Sequence, residues 1–184
     1  MCNHFHLSLQ SGCNETLKRM NRKYTTEQFE EATKLLRNTF PDVALTTDII
    51  VGFPGETEEE FNTTYEFLKK IKFSKMHVFK YSPRKGTVAA KMKEQIDPKI
   101  KEERSKKLIE LSNKNEIEFM EKYIGKNVEV LFESKVEDGY TEGHTTNYIS
   151  VIAKGENLEN TIKMVKIAER KGLSLIANFH KMEM

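Results

Sequence analysis

The chain has 184 residues, 38% hydrophobic and 32% charged, with no tryptophan and a net charge of +2. That length suits one domain or two small ones, and the apolar content excludes a wholly disordered chain. No segment approaches the roughly 18–20 apolar residues that a membrane span needs, and the first residues show no secretory signal pattern. Two cysteines, Cys2 and Cys13, are too few for a disulfide framework, and their spacing fits no zinc pattern. The charge is uneven: residues 69–107 carry 14 Lys+Arg against 4 Asp+Glu, a net of +10, whereas residues 1–68 net −5 and residues 124–184 net −1. A basic block of this kind attracts polyanions, unless it is only a solvated helix face.

In chain order, His4 to Leu9 alternates as a short strand and breaks at Gln10-Ser11-Gly12. A short helix is expected over Asn14–Met20. A second is capped by Thr26, with Phe29, Ala32, Leu36 and Phe40 as its buried stripe, and ends at Pro41. Val43 to Val51 is a β-branched and apolar run that fits a strand buried on both faces. After Gly52-Phe53-Pro54-Gly55, Thr57 and Glu60 predict a capping box for a helix with Phe61, Tyr65, Leu68 and Ile71 on one side. Lys75 to Tyr81 is a further strand, and Asp97-Pro98 opens a long helix to about Tyr123. Strands alternating with helices imply parallel βαβ units. Beyond Gly125 the pattern changes to strands at Val128–Phe132, Tyr148–Ala153, Ile162–Ile167 and Leu173–Phe179, with turns at Asp138-Gly139 and Lys171-Gly172. This predicts a small antiparallel barrel. The domains expected are 1–96, α/β; 97–123, a connecting helix; and 124–184, the barrel.

Three loop clusters, Gln10-Ser11-Gly12, Gly52 to Glu56 and Ser82 to Gly86, each follow a predicted strand. Ligands of parallel α/β structures bind at those strand ends, where glycine permits close backbone approach and Ser, Gln, Arg and Glu supply polar contacts. The residues alone do not name the ligand.

Leu9 to Cys13, Leu17 to Thr25, Thr47 to Thr57 and Phe79 to Thr87 together resemble the radical-SAM methylthiotransferases, over nearly the whole chain. The run Phe73–Thr87 looks most like the branch acting on threonylcarbamoyl-adenosine in tRNA. The isopentenyl-adenosine and ribosomal-protein branches are near relatives, and the tail from about Tyr123 resembles a TRAM domain. The resemblance implies the carboxyl-terminal part of a radical-SAM partial TIM-like barrel followed by the small RNA-binding barrel. It implies S-adenosylmethionine (SAM) and two 4Fe–4S clusters in the parent enzyme, a tRNA anticodon stem-loop as partner, no membrane, and a cytoplasmic location.

The family's cluster-binding CxxxCxxC motif and its three amino-terminal cluster cysteines do not occur here, so the chain is expected to be inactive alone, with no catalytic or metal-ligating residue of its own. By resemblance, SAM would be bound by Gln10, by Ser11 at the ribose, by Arg22 at the methionyl carboxylate, and by a wall of Ile50, Gly52, Phe53 and Glu56. Arg84 and Lys85 would meet the tRNA backbone or the substrate's carboxylate. In the tail, Tyr140, His144, Asn147, Tyr148 and Lys154 would take RNA bases and phosphates, with Lys163, Lys166, Arg170 and Lys171 as further cations. Read as residues alone, Arg22 is equally a surface charge, Phe53 and Tyr148 are equally core, and Arg84 and Lys85 are equally loop charges. His4, His6, His77 and His180 receive no role. The rival readings are a nonenzymatic RNA-binding module and a remnant without activity.

Overall fold

The computed structural model describes residues 2–136 and 139–179; Asp138 and His180 lie outside them. The chain divides into two units: Phe5–Pro41 with Leu45–Asn115, and Met1–His4 with Asp42–Ala44 and Glu116–Met184.

The first unit is α/β. Its sheet has the order β1 (His4–His6), β2 (Ala44–Val51), β3 (Lys75–Lys80). The β2–β3 pairing is parallel, with Asp48 opposite His77 and Ile50 opposite Phe79. Helices α1 (Asn14–Arg19), α2 (Thr26–Thr39) and α3 (Glu58–Ile71) connect the strands, and α4 (Pro98–Glu121) follows β3. The expected strand from His4 to Leu9 ends at His6, yet Leu9 is fully buried and Gln10 bridges in parallel to Ile49.

Helix α2 is capped by Thr25 rather than Thr26: Thr25 accepts from the Gln28 N–H, and the Gln28 side chain answers at the Thr25 N–H. Its deepest residue is Thr33, with Ala32 exposed, while Phe29, Leu36 and Phe40 of the expected stripe are half-buried. The Thr57–Glu60 capping box is present. On α3, Thr64 is buried and Tyr65 only half-buried; Thr64 Oγ1 lies 3.1 Å from Ser11 Oγ. Strand β2 is not buried on both faces throughout. Asp48 and Ile50 are half-buried, since they face a cavity rather than a helix.

Asp97 caps α4, its carboxylate accepting from the Lys99 N–H at 2.7 Å. Leu108 and Leu111 are buried at helical spacing on α4, together with Lys101, Arg104, Ser105 and Ser112. The Ser112 hydroxyl accepts from the Met76 N–H at 2.9 Å and donates to the Met76 carbonyl at 3.2 Å, which satisfies the outer edge of β3.

The second unit is a closed barrel in the order β4-β5-β6-β8-β7: β4 (Asn127–Lys135), β5 (Tyr140–Thr145), β6 (Ser150–Lys154), β7 (Thr161–Lys171) and β8 (Ser174–Asn178). The β6–β8 seam is parallel and the other four are antiparallel. Closure leaves no free sheet edge. Val130, Phe132, Val151, Ala153, Val165, Ile167 and Leu175 fill the interior, with Met120 and Tyr123 closing it.

The sequence pattern contains no sign of β5. Its inward residues are Thr141, Gly143 and Thr145, so apolar alternation is absent. Gly143 is required there: a Cβ would sit 2.2 Å from the Leu131 carbonyl oxygen and 2.7 Å from Phe132 Cα, beside the register shift in β4. The expected strand start at Tyr148 is also displaced. Tyr148 is in a turn with φ 67°, and β6 begins at Ser150.

Candidate functional site

A cavity of about 580 Å³ lies in the α/β unit, within the range usual for small-ligand sites. It is lined by Gln10 from the first loop, Asp48 and Ile50 from β2, Phe79 and Lys80 from β3, and Tyr81, Ser82, Arg84, Thr87 and Ala89 beyond it. The opposed pairs of the β2–β3 ladder place Asp48, Ile50, His77 and Phe79 on one face of the sheet. Gln10 holds a left-handed backbone, φ 72°, which is uncommon for a side chain other than glycine. Its N–H donates to the Asp48 carbonyl and its carbonyl accepts from the Ile50 N–H, both at 2.9 Å, so the strained residue is sewn to the strand that floors the cavity.

Three of the sequence-derived candidates therefore meet here: Gln10, Ile50 and Arg84. The others lie elsewhere. Ser11 is 1% exposed; its hydroxyl accepts from the Cys13 N–H at 3.2 Å and contacts Thr64, so its polar capacity is used inside the fold. Arg22 is exposed and is not a cavity residue. Lys85 is exposed in the turn closed by the Thr87 N–H on the Arg84 carbonyl. Phe53 is buried with its ring edge-on to Tyr81, centroids 5.2 Å apart.

Glu56 is 4% exposed. Its carboxylate accepts from the Gly52 N–H at 3.0 Å and from Arg104 Nη1 at 2.6 Å. Burial pushes its carboxyl up, against the pull of the Gly52 N–H and Arg104. Gly52, at φ 70°, lies under the stem of Lys101, where a Cβ would come within 2.4 Å of Lys101 Cγ. Lys101 Nζ then donates to the Tyr81 carbonyl at 3.1 Å. Lys101 and Arg104 thus hold two of the three loops, and neither was singled out from the sequence. Their only signal is helical spacing with Leu108 and Leu111, masked by their charge.

In the barrel unit, Tyr148 is 67% exposed and stacked with His144, centroids 4.7 Å apart at 23°, and with His4, 5.2 Å at 24°. His144 Nδ1 lies 2.5 Å from Glu133 Oε2. Tyr140 pairs across the strands with Lys154, whose Nζ lies 5.9 Å from the ring centroid. Asn147 is buried and bonded within the unit: its amide donates to the Asp42 carbonyl at 2.9 Å and lies 2.5 Å from the Tyr123 hydroxyl. Burial pushes the Tyr123 hydroxyl up to about 12. Lys163 and Lys166 are on β7 and Lys154 on β6, with β8 between those strands; Arg170 pairs with Glu121.

Cys2 is exposed and Cys13 buried, and among the described residues no group of three or more His, Cys, Asp or Glu is placed to hold a metal ion. The residues present do not fit an iron–sulfur cluster, which takes several thiolates. No helix of the described residues is long and apolar enough to cross a membrane.

Residues 1–68 match the Radical SAM superfamily. The chain is 46% identical over 170 residues to the threonylcarbamoyladenosine tRNA methylthiotransferase of Bacillus subtilis, covering 90% of this chain and 38% of that protein. It is 45% identical over 162 residues to the corresponding probable enzyme of Pyrococcus horikoshii, covering 86% and 38%. To the tRNA-2-methylthio-N(6)-dimethylallyladenosine synthase of Alkaliphilus oremlandii it is 43% identical over 178 residues, covering 95% and 38%. The chain therefore spans about 38% of the length of these relatives. Among solved structures, coproporphyrinogen III oxidase of Escherichia coli, a radical SAM enzyme, superposes with a TM-score of 0.53 at 19% identity, covering 61% of this chain and 27% of that one; this likeness is one of fold. The first 68 residues thus match the Radical SAM superfamily, and most of the chain is similar to a part of the threonylcarbamoyladenosine tRNA methylthiotransferases and the tRNA-2-methylthio-N(6)-dimethylallyladenosine synthases.

Proposed function

We propose that this chain is the carboxyl-terminal part of a cytoplasmic radical-SAM methylthiotransferase that modifies threonylcarbamoyl-adenosine beside the anticodon of tRNA. The observation that carries the reading is the cavity at the carboxyl ends of β2 and β3, where Gln10, Ile50 and Arg84 converge. The similarity to the Bacillus and Pyrococcus proteins supports the substrate branch. SAM supplies the methyl group in this chemistry, and its reductive cleavage needs a cluster that these residues do not hold, so the chain's own part is binding. Gln10 and Ile50 line the space for the cosubstrate, and Arg84 offers a permanent positive charge to a carboxylate or phosphate.

In the barrel unit, read as a TRAM domain, the exposed Tyr148 ring stacked with His144 offers a π surface to an unpaired base. The similarity to the dimethylallyladenosine synthases favours one second reading, an isopentenyl-adenosine substrate. Competition between anticodon stem-loops carrying either modified adenosine tests the branch. Tighter binding of the threonylcarbamoyl form supports the first reading; preference for the isopentenyl form supports the second and overturns the first.

A further inference from the structure

The turn between β5 and β6 sets an exposed aromatic ring over a buried polar network. Tyr148 is 67% exposed, yet its backbone is left-handed, φ 67°, a conformation that suits glycine or asparagine and that a bulky side chain rarely takes. Its ring is no part of the barrel core, so packing does not account for a tyrosine at this position. Along the turn, Thr145, Asn147 and Ile149 are buried while Thr146 and Tyr148 are exposed. The turn closes through the Tyr148 N–H on the Thr145 carbonyl at 2.9 Å, the Thr145 N–H on the Ile149 carbonyl at 3.1 Å and the Ile149 N–H on the Thr145 hydroxyl at 3.0 Å. The Asn147 side chain ties this turn to the rest of the barrel unit. Its oxygen accepts from the Thr145 hydroxyl at 2.6 Å, and its amide nitrogen donates to the Tyr123 hydroxyl at 2.5 Å and to the Asp42 carbonyl at 2.9 Å. One amide thus uses its oxygen and both its hydrogens, a set of contacts that an aspartate, which only accepts, cannot make. On the outside, the Tyr148 ring is stacked with His144, centroids 4.7 Å apart, and His144 is held in turn by Glu133 at 2.5 Å.

We propose that Asn147 is the positioning residue of this surface: too buried to touch RNA itself, it fixes the left-handed turn that presents the Tyr148 ring to an unpaired base. A ring already held in place loses less freedom when a base stacks on it, so the network raises affinity without a contact of its own. The inference deepens the proposed function and rests on it for the base that Tyr148 meets. Asn147, expected from the sequence to contact RNA, thereby acts through Tyr148.

The test has two arms on the full chain, with thermal melting of every variant. In the first, the His144 imidazole protons are followed by NMR at one pH, since an aromatic ring shifts the resonances of protons stacked on its face. Asn147→Ala is expected to move them towards their positions in Tyr148→Ala. Thr145→Val, which removes the hydroxyl shared by Asn147 and the Ile149 N–H, does the same, and Thr145→Ser, which restores it, returns them. In the second arm an anticodon stem-loop is titrated. Tyr148→Ala is expected to weaken binding about fivefold or more, the loss of one stacked base. Asn147→Ala weakens it by part of that factor and adds nothing further once residue 148 is already alanine. A merely structural role for Asn147 would lower the melting temperature and act equally in both backgrounds. If Asn147→Ala does not melt cooperatively, the Thr145→Val and Thr145→Ser pair carries the same comparison. His144 resonances unmoved by the Asn147 and Thr145 substitutions, or equal effects on affinity with and without the Tyr148 ring, overturn the proposal. Resonances that move, with stem-loop affinity indifferent to Tyr148→Ala, overturn the base-stacking reading on which it rests and leave the positioning of the ring standing.

Discussion

Arg104 and Glu56 form a buried ion pair, 2.6 Å between Nη1 and Oε1, with both side chains under 10% exposed. The same guanidinium donates to the Glu56 carbonyl at 3.1 Å and to Glu58 at 3.1 Å, so one α4 residue holds the loop from Gly52 to the first turn of α3. Arg104→Ala leaves the Glu56 carboxylate buried without its partner and is expected to cost about 3–5 kcal/mol of stability. The double variant Glu56→Gln/Arg104→Met should recover most of that loss, because no uncompensated charge remains. Urea unfolding of the three variants measures this; a double variant as unstable as Arg104→Ala would contradict it.

A second expectation concerns acid. Arg19 holds the Glu60 carboxyl below its ordinary 4.5, helped by the Thr57 N–H. A carboxyl with a lowered folded value stabilises fully above the ordinary glutamate range, and the contribution is lost as pH falls through the folded value. Arg19→Ala should therefore flatten the stability profile on its acid side and leave its alkaline side unchanged. An unaltered acid limb would contradict the assignment.

Tyr123 gives the opposite limb. Its hydroxyl, raised to about 12 by burial, keeps its proton in the folded barrel where an unfolded tyrosine releases it near 10. Stability therefore falls as pH rises from about 10 towards 12. Tyr123→Phe should remove that part of the slope, read by denaturation at several alkaline pH values. A slope equal to wild type would show that Tyr123 ionises at its ordinary value.

Gly143→Ala should destabilise the barrel by about 3 kcal/mol or more, since the added methyl meets backbone rather than a movable side chain. Hydrogen exchange of β4 and β5 reports this directly, and wild-type protection would contradict the close approach.

These residues also mark what the sequence makes legible. Thr57 and Glu60 announce α3 because a capping box is local chemistry, and Asp97-Pro98 announces α4 for the same reason. Glycine-rich loops after strands point to the cavity region, and Gln10, Ile50 and Arg84 do line it. What escapes the sequence is long-range. Strand β5 turns Thr141, Gly143 and Thr145 inward, a pattern indistinguishable from a polar loop until β4 and β6 flank it. Lys101 and Arg104 read as solvated helix charges until Tyr81 and Glu56 meet them. Ser11 and Asn147 carry good ligand-binding groups, but Thr64, the Cys13 N–H and the Asp42 carbonyl use them inside the fold.

With two cysteines, the chain alone is expected to bind no stoichiometric 4Fe–4S cluster and to release no deoxyadenosine from SAM. Anaerobic reconstitution followed by iron analysis and a deoxyadenosine assay checks this; a full cluster with SAM cleavage by the monomer would contradict it.

The central claim, that this chain engages the anticodon arm of tRNA, is tested most directly by titrating it with an anticodon stem-loop at several salt concentrations, beside Arg84→Ala/Lys85→Ala and Tyr148→Ala. On the proposed function, the basic segment of residues 69–107 would make phosphate contacts whose counterion release steepens the salt dependence, whereas stacking on Tyr148 would persist at higher salt. The account predicts binding that falls with salt, a shallower salt slope in the Arg84/Lys85 variant, and a loss in Tyr148→Ala of about 1–3 kcal/mol that is the same at every salt concentration. Stem-loop binding that none of these substitutions alters would contradict it.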